Sequence, residues 1–157
     1  MKVLIIAVGK VKADYAQLGC QIFIDRIRRY FPMEVVETRD IKRRNKGSAN
    51  QYKLEEAAAI RAAIPRGAFV VALDERGQQS RSRSFATWIE KRRDTAVSNL
   101  VFIIGGPDGL DAQLRSEAGR VMALSELTFS HELARLLLLE QIYRAATIMA
   151  GHPYHRD

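Results

Sequence analysis

The sequence predicts an α/β fold: a mainly parallel sheet flanked by helices. Three observations predict it. Continuous apolar runs occur at Val3–Val8, Ala68–Leu73 and Leu100–Ile104, as expected for strands buried on both faces. Between them, apolar residues recur at spacings of three and four, the stripe of an amphipathic helix. Glycine or a polar segment closes each run. Strands alternating with helices in this way imply parallel crossover units.

Taken in order, Val3–Val8 is the first strand and Gly9 ends it. Ala16, Cys20, Phe23, Ile27 and Tyr30 mark the first helix, which stops before Pro32. Glu34–Thr38 reads as a second strand, and Lys42–Gly47 as a basic, breaker-containing loop. Ser48 and Gln51 have capping-box spacing, opening an alanine-rich helix to about Ile64 before Pro65. Ala68–Leu73 is the third strand. Asp74–Arg83 reads as a polar loop carrying Arg76, Arg81 and Arg83. Phe85, Trp88, Ile89 and Ala96 mark another helix, with Lys91, Arg92 and Arg93 on its outside. Leu100–Ile104 follows, then a short helix at Ala112–Ala118 and a short strand at Val121–Leu124. The last helix, about His131–Ala150, is apolar nearly all round, which predicts burial on more than one side. One side faces the core, and the other is expected to face a second subunit of a symmetric dimer, the alternative being a central helix of a monomer.

At 157 residues a single domain, residues 1–157, is expected. The net charge of +7 points to a polyanionic partner, nucleic acid before an acidic membrane surface. The plainer alternative is a protein that is merely basic. One cysteine, Cys20, excludes a disulfide framework and fits a reducing, cytoplasmic setting. The apolar start is too short for a signal peptide. Leu136–Leu139 falls far short of the roughly 20 residues of a membrane span.

Three stretches carry candidate chemistry. Gly105-Gly106-Pro107-Asp108-Gly109 follows a buried strand, so it lies where open α/β sheets bind ligands. It lacks the Gly-Lys-Ser/Thr of a phosphate loop and the dinucleotide fingerprint, and by itself it is also an ordinary turn. Asp108 caps the short helix or faces RNA. Leu124-Ser125-Glu126-Leu127-Thr128-Phe129 is too apolar for an exposed loop and suits the wall of a small-molecule pocket. It also leads into the last helix, with Thr128 or Ser130 as cap. Third comes the tail, Gly151 to Asp157, with His152, Tyr154, His155 and Arg156: types that stack on bases, bind phosphate and move protons. A metal at His152 and His155 is not expected. The basic clusters at Lys42–Lys46, at Arg76, Arg81 and Arg83, and at Lys91–Arg93 favour phosphate contacts.

Together, IIGGPDGL, LSELTF and HELARLLLLEQIYRAATIMAGHPYHR, with Ile6-Ala7-Val8-Gly9-Lys10 near the start, resemble the RlmH (YbeA-like) family of SPOUT-class RNA methyltransferases. The resemblance covers the whole chain. It implies a SPOUT (α/β-knot) fold with a carboxyl-terminal trefoil knot, which no periodicity argument could reach. It implies a homodimer packed through the knot region and S-adenosylmethionine as cofactor. The implied substrate is a pseudouridine of 23S ribosomal RNA, methylated at N3, within the assembled ribosome. Carried over by residue, the cofactor contacts are Leu73, Gly105, Leu124, Ser125, Glu126, Leu127, Thr128 and Phe129. The family often has alanine at Glu126, an aliphatic residue at Phe129 and proline at Glu132. The implied reaction needs a base for the N3 proton or a cation for the developing anion. His155 is assigned the proton or the orientation of the base, Arg156 the phosphate or anion, Tyr154 stacking, and Arg144 support of the tail. The rival readings are an RNA-binding module without chemistry, a nucleotide-binding protein, and a related enzyme acting on transfer RNA.

Overall fold

The computed structural model describes residues 1–41 and 48–154. The basic loop Lys42–Gly47 and the tail residues His155, Arg156 and Asp157 lie outside the described residues. The elements run β1 (Lys2–Val8), α1 (Asp14–Ile27), β2 (Met33–Thr38), α2 (Ala49–Ala63) and β3 (Phe69–Gln78). They continue as α3 (Ser82–Asp94), β4 (Asn99–Ile104), α4 (Ala112–Glu117), β5 (Arg120–Met122) and α5 (His131–Met149). The five strands form one sheet in the order β2-β1-β4-β3-β5, with every pairing parallel.

Parallel strands must be covered on both faces, and their side chains alternate between two cores. Val3, Ile5, Ala7, Val71, Leu100, Phe102, Ile104 and Met122 meet helices α1, α3 and α5 on one face. Leu4, Ile6, Val8, Ala72, Val101 and Ile103 meet α2 and α4 on the other. The Ser48–Gln51 capping box forms in both directions and starts α2 where its spacing predicts. Asp111, not Asp108, caps α4, accepting from the Leu114 amide at 2.9 Å.

One expectation is corrected. The segment after Leu73 is not a plain polar loop: β3 runs on to Gln78 and contacts β5 a second time. Met122 pairs with Leu73 and also with Gln78, so residues 73–78 pass from one side of it to the other. Gly77 makes the passage possible, since a Cβ there would lie 2.6 Å from the Met122 carbonyl carbon. The all-round apolarity of α5 also has a source within one chain. It packs against α1 and α3 and over the sheet as the middle helix of its layer.

Candidate functional site

A cavity of about 530 Å³ opens at the carboxyl ends of β3, β4 and β5, within the usual range for a small-molecule site. The Gly105–Gly109 loop forms one wall, and Leu124, Ser125, Leu127, Thr128 and Phe129 form another. Leu73, Met122 and Ala134 complete its apolar lining, while Asp74, Ser130 and His131 bring polar groups. Of the eight predicted cofactor contacts, seven line this cavity; Glu126 does not. Leu127 is 72% exposed, an apolar side chain left at the rim.

The glycines are needed for a reason other than open access to a ligand. A Cβ on Gly105 would lie 2.6 Å from the Gly109 carbonyl carbon, so the loop closes on itself. The Gly109 amide donates to the Gly106 carbonyl at 2.9 Å, and Gly109 adopts a φ of +79°. A Cβ on Gly106 would lie 2.8 Å from a carboxylate oxygen of the buried Glu56. The result is a tight wall presenting backbone to the cavity.

The opposite wall is held by side-chain bonds. Ser125 Oγ accepts from the Leu127 amide at 3.1 Å. Thr128 donates to the Glu75 carboxylate, joining this loop to the extension of β3. Ser130, not Thr128, caps α5 by accepting from the Leu133 amide at 3.3 Å. Glu132 accepts from the Lys12 and Ala13 amides at 2.8 and 3.1 Å. Those backbone bonds, the one from Lys12 first, hold its carboxyl below the ordinary value. One turn on, Arg135 is 2% exposed; it donates to Glu37 at 2.5 Å and to the Gly9 carbonyl at 2.8 Å. The first turns of α5 are thus bolted to the segment following β1.

Two groups of the site escaped sequence reasoning. Asp74, 5% exposed, accepts from Arg76 Nε at 2.8 Å and from Arg115 Nη1 at 2.9 Å. The bond from Arg76, supported by Arg115, holds its carboxyl well below the usual carboxylate range. His131 Nδ1 is buried and has no partner among the described residues. Asp74 stood in an apparently exposed polar run, so only its Arg-rich surroundings could have marked it.

Tyr154 sits elsewhere. Its ring packs edge-on against Tyr143 with centroids 4.7 Å apart, and its hydroxyl lies 3.3 Å from Glu140 Oε1. Burial, then the Glu140 charge, pushes its phenol up. Arg144 pairs with Glu140 at 2.5 Å and lies 5.2 Å from the Tyr154 ring centroid. Glu140 and Tyr143 stand six and nine residues beyond Ala134, about 9 and 13 Å along the helix axis. Tyr154 does not line the cavity of its own chain.

Among the described residues, no group of three or more His, Cys, Asp or Glu is placed to hold a metal ion, and no helix is long and apolar enough to cross a membrane. A family model described as "Predicted SPOUT methyltransferase" matches residues 1–155. A Geobacter metallireducens protein named "Ribosomal RNA large subunit methyltransferase H" is 43% identical over 157 residues, all of both chains. Proteins of that name from Geobacter sulfurreducens and Brucella anthropi are 42% and 43% identical, covering 99% and 100% of each chain. A probable methylase family protein from Haemophilus influenzae aligns at a TM-score of 0.55 over 99% of this chain and 70% of that one. At 10% identity that likeness speaks for the fold alone.

Proposed function

The chain belongs to the SPOUT methyltransferase family, and on that premise we propose that it methylates N3 of a pseudouridine in 23S ribosomal RNA, using S-adenosylmethionine. The observation that carries the reading is the cavity walled by backbone at Gly105–Gly109 and by the Leu124–Phe129 loop. Its chemistry fits the donor. Leu73, Leu124, Leu127 and Phe129 offer apolar surface to a purine, and the loop backbone offers hydrogen bonds to its polar edge. The Glu75 carboxylate at the same opening suits a sulfonium cation, the Asp74 charge being taken up by Arg76 and Arg115. When bound, S-adenosylmethionine supplies an electrophilic methyl group.

The rest of the task falls to the chain. It must hold N3 in line with that methyl group and remove the N3 proton before or during attack. His155 takes the proton or orients the base, and Arg156 binds phosphate or the developing anion. Tyr154 anchors the tail on α5, where Arg144 supports it, and stacks on the base with the surface left exposed.

The protein works as a homodimer. Tyr15, Leu18 and Ile22 form an exposed apolar stripe on α1, 61%, 66% and 40% accessible, as a covered face requires. The tail then completes the cavity of the other subunit. The carboxyl-terminal knot belongs to the same proposal, supported by the pairing of Met122 with both Leu73 and Gln78. Action on ribosomes places the protein in the cytoplasm.

Mass spectrometry of 23S ribosomal RNA from cells lacking the protein tests the reading. Loss of the N3-methylated pseudouridine is expected, and its retention refutes the proposal. Calorimetry with S-adenosylmethionine separates an enzyme from an RNA-binding module, which would give no heat of binding.

A further inference from the structure

Of the basic cluster Lys91-Arg92-Arg93, Arg93 is paired with Glu90 at 3.3 Å and Asp94 at 3.5 Å. Arg92 has no carboxylate partner among the described residues. It lies instead over two rings, its Cζ 4.5 Å from the Phe69 centroid and 5.3 Å from that of Trp88. From the edge strand β5, Arg120 reaches the same Trp88, with Cζ at 4.5 Å. Its guanidinium donates to Ser80 Oγ at 2.7 Å, and it too has no carboxylate partner among the described residues. The Nε atoms of both arginines are buried without a partner.

The platform under these cations is rigid. Trp88 lies parallel to Phe85 with centroids 6.1 Å apart and edge-on to Phe69 at 5.8 Å. Gly119, just before Arg120, lies flat on Phe69, where a Cβ would come within 2.8 Å of the ring. Burial, and then the Arg92 charge, pushes the Arg120 guanidinium below its ordinary value. Two like charges held over the same indole ring repel in the free protein, and an anion relieves them. Guanidinium forks match the oxygens of a phosphate. Trp88, Arg92 and Arg120 are each only half-buried, which suits one phosphate of a chain better than a free ion. Arg120 also begins the strand that ends at Met122 in the cavity wall, about 7 Å further along.

We infer that Arg92 and Arg120, mounted on Trp88, bind a backbone phosphate of the RNA strand that leads into the methylation site. The inference rests on the proposed RNA substrate.

Trp88 is the only tryptophan in the chain, so its fluorescence reports directly on the platform. The full-length protein is titrated with a 23S ribosomal RNA fragment spanning the target and, separately, with inorganic phosphate. RNA is expected to change the Trp88 emission. The Arg92→Gln, Arg120→Gln double variant is expected to bind RNA about tenfold or more weakly. Its slope of log affinity against log salt falls by about 0.7, the contribution of one single-strand phosphate. Arg120→Lys retains the slope and loses part of the affinity. Melting temperature and calorimetric donor binding report that both variants remain folded with an intact cavity. Wild-type affinity and salt slope in the double variant overturn the inference. So does an emission change as large with equimolar phosphate as with RNA, which assigns the platform to a free anion. Failure of the wild-type protein to methylate ribosomal RNA counts instead against the functional reading, and RNA binding is read independently of it.

Discussion

Mixing two inactive variants should restore activity. The first carries Gly105→Ala, which forces a Cβ to within 2.6 Å of the Gly109 backbone and deforms the cavity wall. The second carries His155→Ala and Arg156→Ala in the tail. Tyr154 is fixed against Tyr143, about 13 Å along α5 from the cavity residue Ala134. The proposal under test is that His155 and Arg156 act at the cavity of the other subunit, since Tyr154 does not line the cavity of its own chain. In a mixed dimer, the tail-deficient subunit supplies an intact cavity and the cavity-deficient subunit supplies an intact tail. Random assortment makes about half the dimers mixed, each with one working site of two, so about a quarter of wild-type activity is expected. The assay is methyl transfer to ribosomes from cells lacking the protein, after the two variants are co-expressed. Size-exclusion chromatography of each variant alone confirms assembly. Activity no greater than the sum of the separate variants would refute action across the dimer.

Asp74→Asn removes the charge shared by Arg76 and Arg115 and should lower stability by about 2 kcal/mol at neutral pH, measured by denaturant unfolding. Because the folded-state carboxyl is held low, this contribution is present above the unfolded value near pH 4. It fades as pH falls from there through the folded value, so the gap between variant and wild type narrows in acid. Arg135→Ala leaves Glu37 and the Gly9 carbonyl without their buried donor, and a loss of about 3 kcal/mol should appear in thermal unfolding. Tyr154→Phe keeps the ring contact with Tyr143 and should hold kcat/KM within about twofold, whereas Tyr154→Ala should lower it about tenfold.

Local signals located most of the fold. The apolar runs at Val3–Val8 and Leu100–Ile104 need no partner to be recognised, since burial on both faces is written into each residue. The Ser48–Gln51 box placed the start of α2 by a bond that spans three residues. The extension of β3 was not legible, because Asp74–Gln78 is polar and its second pairing depends on a strand more than forty residues later. The Gly105–Gly109 and Leu124–Phe129 loops were legible as pocket walls from their own residues, Leu73 came only from the family resemblance, and the roles of the glycines came only with the structure. Gly105 and Gly106 look like open access to a ligand in sequence, yet their missing side chains accommodate Gly109 and Glu56. Asp74 and the Arg92–Trp88–Arg120 platform join residues far apart in the chain, and no spacing rule connects them.

The double grip on Met122 has a consequence in time rather than in shape. Edge strands ordinarily loosen first, by local fraying. Here Leu73 holds one flank and Gln78 the other, and the Ala123 amide donates to the Gln78 carbonyl at 3.1 Å. An earlier piece of the same chain thus holds the strand at two positions. Hydrogen exchange at Ala123 is therefore expected to proceed through global unfolding. During synthesis Leu73 and Gln78 emerge before Met122, so this part of the cavity wall takes form only after both of its partners have been made.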